Sequence, residues 1–293
     1  MRNALTNAML GLVVLLGAVA DACGQFKPSQ GRQKSAEDLV AVSFVSDTAR
    51  IAPGQTFHLA IVFEIEPHWH IYWVSPGASG LPTQVDIIAP EGFVVGEPLY
   101  TRPQAFGSSE TLEGLTYGYE KNAVLFVPIT APVDLKEGSA SFQADILYLV
   151  CKSFCLMGNI NRSLTLETDD KENHASIGVD PILARAKDRL PQALEQLEES
   201  KVAFDGKLLT VRISAGDSKT ATLYPIELPG ITYENPKVVL KGDFFIATVE
   251  VEINPDNALG EEMKLVGAVG LGKNRDDPSY MFELSLSKPD GGF

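Results

Sequence analysis

The sequence is short of cysteine, histidine and positive charge, and it has no long apolar run. Three cysteines and four histidines occur in 293 residues. If Cys23, near the start, is removed or lipidated, Cys151 and Cys155 are the only thiols left, and each has only the other as an intramolecular partner. Lysine and arginine number 24 against 38 acidic residues, a formal charge of −14. Nucleic acid or an anionic membrane would require a basic face to neutralise phosphate, so neither is an expected partner. The acidic residues are scattered, as on a solvated surface. No later segment approaches the roughly 18 apolar residues of a membrane-spanning helix. Phosphate-binding glycine loops and dinucleotide fingerprints are absent. His58, His68, His70 and His174 occur without a nucleophile motif around any serine.

At the start of the chain, Arg2 precedes the apolar run Ala8–Ala20, and Ala20-Asp21-Ala22 offers a small-x-small site for cleavage before Cys23. Residues 1–22 read as a secretory signal and 23–37 as a flexible leader. Cys23 as first mature residue admits a lipid anchor, although Ala20 stands where such signals usually carry leucine and Asp21 is acidic. A periplasmic or otherwise exported location is expected, and there a cysteine pair can cycle between dithiol and disulfide.

From Leu39 onward short β-branched and aromatic segments alternate with proline and glycine: Val40–Val45, Thr56–Ile65, Thr83–Ile88, Ala123–Ile129, Ser141–Val150 and Ser163–Thr168. The rhythm predicts a mainly β protein, with an immunoglobulin-like sandwich over residues 38–170. Ile182, Leu183, Ala186, Leu190, Leu194 and Leu197 then recur at helical intervals, predicting a helical linker over 171–203 that starts at Asp180-Pro181 and is kinked or divided at Pro191. Strand patterns resume at Lys207–Ile213 and continue to Tyr280–Leu286, so a second β-rich domain is expected over 204–293. It contains no cysteine or histidine and carries no legible chemical motif.

Cys151 and Cys155 are the candidate site. Four residues of extended strand would hold their Cα atoms about 13 Å apart, whereas a disulfide needs roughly 4.4 to 6.8 Å. The chain must turn between them, and strand patterns on both flanks place the pair at a hairpin tip. A disulfide closing so small a loop restrains the unfolded chain by only about 2 kcal/mol. That weakness favours redox work over a staple, while a structural bridge and soft-metal binding stay open. Lys152 is a candidate for favouring a thiolate at Cys151. Met157 is a soft ligand, but His68-Trp69-His70 lies far away with no evident path to the thiols.

Three ordered motifs, His70-Ile-Tyr-Trp-Val-Ser-Pro-Gly-Ala-Ser-Gly-Leu-Pro-Thr83, Leu115-Thr-Tyr-Gly-Tyr-Glu120 and Tyr148-Leu-Val-Cys-Lys-Ser-Phe-Cys155, resemble the N-terminal periplasmic domain of the thiol:disulfide interchange protein DsbD, in its ScsB-like branch. The resemblance covers roughly residues 38–170. It implies an immunoglobulin-like sandwich in which Cys151 and Cys155 are the redox pair, a membrane-embedded DsbD-like partner supplies electrons, and periplasmic disulfide proteins receive them. It also implies a cap loop over the sulfurs, matched here by Tyr117, Gly118 and Tyr119. No cofactor or resident metal is implied. The sequence shows neither a multi-helix membrane region nor a thioredoxin-like Cys-x-x-Cys, so on this reading the electrons come from another chain. The alternatives are a binding module that keeps a structural disulfide, and a periplasmic copper-binding protein.

Overall fold

The computed structural model describes residues 34–107, 114–170, 181–254 and 263–286. The expected signal, Cys23, most of the leader, His174 and the Asp180 cap lie outside them.

The first sandwich follows from period-two burial. Along Gly138–Cys151, residues Ala140, Phe142, Ala144, Ile146, Tyr148 and Val150 are buried, while Ser141, Gln143 and Asp145 between them are exposed. This strand pairs with Cys155–Thr168 over its full length, from Gly138 opposite Thr168 to Cys151 opposite Cys155. The sheet continues from Gly138–Cys151 through His70–Gly77 and Thr116–Glu120 to Gln104–Phe106; Gln84–Ile88 also pairs with Gly138–Cys151, and the short Arg50–Ile51 strand runs parallel to the far edge. The facing sheet is built on Val40–Ser46, Thr56–Ile65 and Asn122–Thr130. Phe57 meets Phe142, and Phe63 meets Tyr148, edge to face across the core at centroid distances of 6.0 and 5.9 Å. The mainly β, sandwich-type fold expected from the sequence is what the chain adopts.

Two four-stranded sheets follow. One runs Gln192–Ala193, Ser279–Leu286, Met263–Leu271, Ala221–Ile226; the other runs Lys201–Phe204, Leu208–Ser214, Phe244–Ile253, Ile231–Lys241. Leu209, Val211, Ile213, Ala247 and Val249 from one meet Leu223, Leu265, Val269 and Phe282 from the other in a second buried core. Both cores lie in one compact unit of the described residues. The buried Arg102 guanidinium joins them, donating to the carbonyls of Leu271, Gly272, Asp277 and Pro278 at 2.5 to 3.2 Å.

The helix between the sandwiches is shorter than its apolar spacing predicts, covering only Pro181–Lys187. Pro191 has no N–H and disfavours helical geometry at Leu190. The last turn accordingly tightens, with Arg189 donating to the Ala186 carbonyl and Leu190 to that of Lys187. Leu183 and Ala186 pack on Ala60, Val124 and Phe126 of the outer face, whereas Leu194 turns into the second core. Asp47 anchors the helix: its carboxylate accepts from Lys187 Nζ at 2.5 Å and lies 2.9 Å from His58 Nδ1. Burial by itself would raise this carboxyl, but hydrogen bonds from His58 and Lys187 outweigh it and hold the pKa at about 2.

Candidate functional site

The two cysteines form a disulfide across the last rung of the long hairpin, with Cα atoms 4.2 Å apart. Lys152, Ser153 and Phe154 make the turn, closed by the Lys152 N–H donating to the Phe154 carbonyl at 3.0 Å. This reversal of chain direction brings the two Cα atoms together. Glycine admits the ring that closes the core just below this tip: Tyr148 faces Gly158, where a Cβ would come within 2.2 Å of the phenol ring.

The two residues of the pair are not equivalent. Cys151 is buried at 2% exposure, while Cys155, Lys152, Ser153 and Phe154 are exposed. Phe154 is 55% and Met157 60% exposed, so two large apolar side chains stand in water beside the accessible cysteine. Trp69 buttresses the turn, its ring edge-on to Phe154 at 5.1 Å. Of the two cysteines, Cys155 is the one exposed beside these side chains.

His70 enters the site from an adjacent strand. Cys151 pairs with His70, and His70 in turn with Glu120, so the three share one row across the sheet. The imidazole stacks on Phe106 at 5.1 Å and meets Tyr72 edge-on at 5.2 Å. Burial lowers its pKa below the ordinary 6.5, with Glu120 pulling the other way. His68, in contrast, sits just ahead of the strand with a φ of 70° and is exposed. The two histidines do not share a strand face, and the link from His70 to the thiols comes from pairing between positions 81 residues apart in the chain. Among the described residues, no group of three or more His, Cys, Asp or Glu side chains is arranged to hold a metal.

The tyrosines expected over the sulfurs are placed elsewhere. Tyr119 pairs with Ile71, in the row of Val150 rather than that of Cys151, so it points to the opposite, core side of the sheet. It is fully buried, and its hydroxyl donates to the Thr101 carbonyl at 2.6 Å. Tyr117, on the same side, donates to the Leu223 carbonyl at 3.4 Å and packs on Tyr224 of the second sandwich. Burial raises both phenol pKa values. Gly118 lies where a Cβ would come within 2.1 Å of the Ile71 carbonyl oxygen, so it lets the two strands close. The rings beside the pair are instead Phe154, Trp69 and, through His70, Phe106. Phe154 was legible as an aromatic held between the two cysteines; Phe106 and His70 required the sheet order. Lys152 is exposed in the turn.

The family model described as thiol:disulfide interchange protein DsbD, N-terminal, matches residues 38–166. These residues are a DsbD N-terminal-like domain. The N-terminal periplasmic domain of ScsB from Proteus mirabilis is similar in structure, with a TM-score of 0.58 and 17% identity, covering 87% of this chain and 96% of that one. At that identity the likeness speaks for fold, and its coverage extends the shared fold past the DsbD N-terminal-like domain. AvmM, described as catalysing macrocyclization in Alchivemycin A biosynthesis, covers 48% of this chain and 97% of its own at 10% identity and a TM-score of 0.25. The E. coli chaperone DraB covers 84% and 98% at 10% identity and a TM-score of 0.24. No curated protein matches. The DsbD N-terminal-like domain belongs to a thiol-disulfide exchange family, and the Cys151–Cys155 disulfide lies within it.

Proposed function

We propose that this protein exchanges thiols and disulfides in the periplasm, taking electrons from a membrane-embedded DsbD-like donor and passing them to disulfide-bonded substrates. The observation that carries the reading is the asymmetry of the pair: an exposed Cys155 bonded to a buried Cys151 at a hairpin tip, flanked by exposed Phe154 and Met157. A donor thiolate attacks the Cys155 sulfur, giving a mixed disulfide and releasing Cys151. A second donor thiol then completes reduction. Toward the substrate the order reverses. Cys155 attacks the substrate disulfide, and Cys151 resolves the mixed disulfide by bonding to Cys155 and freeing the substrate thiol. Phe154 and Met157 supply the apolar contact that holds a partner during these steps. A periplasmic setting agrees with that of the ScsB domain whose fold the chain shares.

Single-cysteine trapping in the native envelope tests the reading. Cys151→Ser leaves the exposed thiol without its resolving partner and accumulates mixed disulfides. Cys155→Ser captures far less. If neither variant captures a partner, the exchange reading is wrong, and the pair is a structural bridge.

A further inference from the structure

We infer that His70 takes the proton from Cys151 when Cys151 closes the disulfide, and returns a proton to it when the disulfide opens. The inference rests on the exchange reading above. Its ground is the row formed by Cys151, His70 and Glu120 across three adjacent strands. Side chains directly opposite on neighbouring strands have Cβ atoms about 4.5–5.5 Å apart, within reach of one another.

Cys151 has a problem that Cys155 does not. At 2% exposure it has almost no water to stabilise a thiolate, and burial in apolar surroundings raises a thiol pKa. It must nevertheless become a nucleophile once per cycle and a leaving group once per cycle. A neutral imidazole in the same row, on the adjacent strand, supplies the acceptor that solvent does not. Phe106 and Tyr72 hold the ring between them. Other described imidazoles are committed or remote: His58 lies between Asp47 and Lys187, and His68 precedes the strand. Burial lowers the His70 pKa and so favours its neutral, proton-accepting form.

Among the described residues, the titratable and charged groups around the ring are few. Glu120 lies beside it on Thr116–Glu120, Tyr72 on its own strand, Cys151 on the other side, and Lys152 and Cys155 in the turn and strand beyond. On the Gln104–Phe106 strand, Gln104 and Phe106 bring no charge. Glu120 is the one group in the row that favours the protonated ring, which suits a base that must carry a proton briefly.

The step balances. In the mixed disulfide, Cys155 Sγ is bonded to the substrate sulfur and Cys151 is a thiol. Its proton passes to an imidazole nitrogen, and the resulting thiolate attacks Cys155 Sγ. The new S–S bond forms as the bond to the substrate breaks, and the substrate leaves as a thiolate. Two electrons pass from the pair to the substrate disulfide, and the imidazolium gives its proton to water. Reduction by the donor runs the same path backwards.

The test is single-turnover reduction of glutathione disulfide by the reduced full-length chain carrying Cys23→Ser, so that Cys151 and Cys155 are its only thiols, followed as release of glutathione. The first equivalent marks attack by Cys155; the second marks resolution by Cys151. In the wild type the second phase rises with pH through an inflection below 6.5 and then levels. His70→Gln and His70→Phe, the latter keeping an aromatic ring between Phe106 and Tyr72, both lose that inflection. They slow the second phase at pH 7 on the order of 10²-fold while sparing the first. The inference is overturned if the second phase keeps its rate and pH profile, or if both phases slow alike, the mark of a packing role. A wild type that releases no glutathione refutes exchange itself. Iodoacetamide labelling of Cys151 in the Cys155→Ser background, read by mass spectrometry of the Cys151 peptide, then decides His70 separately. Labelling at pH 7 falls severalfold on His70→Gln if His70 is the acceptor, and an unchanged rate sinks the inference.

Discussion

Cys151 and Cys155 are Cα partners on the same rung, yet one is buried at 2% exposure and the other is exposed. The difference arises because the Gly138–Cys151 strand has a neighbour at its tip, the His70–Gly77 strand, which covers Cys151. Among the described residues, Cys155–Thr168 has no such neighbour there; its outer partner, Arg50–Ile51, pairs at Glu167 and Thr168.

Reduction should therefore be energetically mild. The disulfide closes a loop of three intervening residues, and on the chain-entropy estimate its loss costs about 2 kcal/mol. Denaturant unfolding of the oxidised and reduced chain is expected to differ by that amount with a native fold in both. A loss of fold on reduction would reassign the bridge to structure.

Trp69 should report the redox state. Its ring rests edge-on against Phe154 in the turn that reduction releases, whereas Trp73, the other tryptophan, packs on Tyr224. Tryptophan emission is expected to change on reduction in the wild type. Trp69→Phe abolishes the change and Trp73→Phe leaves it.

Gly118 should resist even the smallest substitution. An alanine Cβ would meet the Ile71 carbonyl oxygen at 2.1 Å, and a backbone atom in a paired strand cannot swing aside. Gly118→Ala is expected to destabilise the chain by about 1–3 kcal/mol. Amide exchange should accelerate along His70–Gly77 first.

Arg102 should be irreplaceable by lysine. Its guanidinium serves four carbonyls of the second sandwich at once, a fan of donors that a single ammonium cannot match. Arg102→Lys and Arg102→Ala are both expected to lower stability by about 3 kcal/mol, since buried carbonyls lose charge-assisted bonds. Hydrogen exchange at Leu271 and Gly272 locates the damage.

Acid should loosen the helix at Asp47. The folded-state pKa is depressed from 3.8 to about 2, so the contribution of this group is present above the unfolded value and disappears as pH falls toward 2. A shift of that size corresponds to on the order of 2 kcal/mol. Asp47→Asn should be less stable than wild type at pH 6, and the gap should close between about pH 4 and pH 2. A gap that stays constant over that range would assign the loss to packing.

Local pattern made the sandwich legible, because alternation along Ser141–Val150 and Ser163–Thr168 is the fold's own period. The hairpin tip was legible for the same reason, two strand patterns with two cysteines between them. What stayed hidden depends on which strands lie side by side. His70 and Cys151 are brought together only by sheet order, and the side of the sheet that Tyr117 and Tyr119 face is set by register. The helix was overread because Leu190, Leu194 and Leu197 keep helical spacing past Pro191, while their side chains serve different cores.

The hairpin carrying the disulfide is paired without a break from Gly138 opposite Thr168 up to the pair itself. The bridge thus sits at the end of the ladder, beyond the rung of Val150 and Leu156, and no lower rung depends on it for its pairing. Whatever touches the exposed sulfur of Cys155 also touches the three-residue turn of Lys152, Ser153 and Phe154.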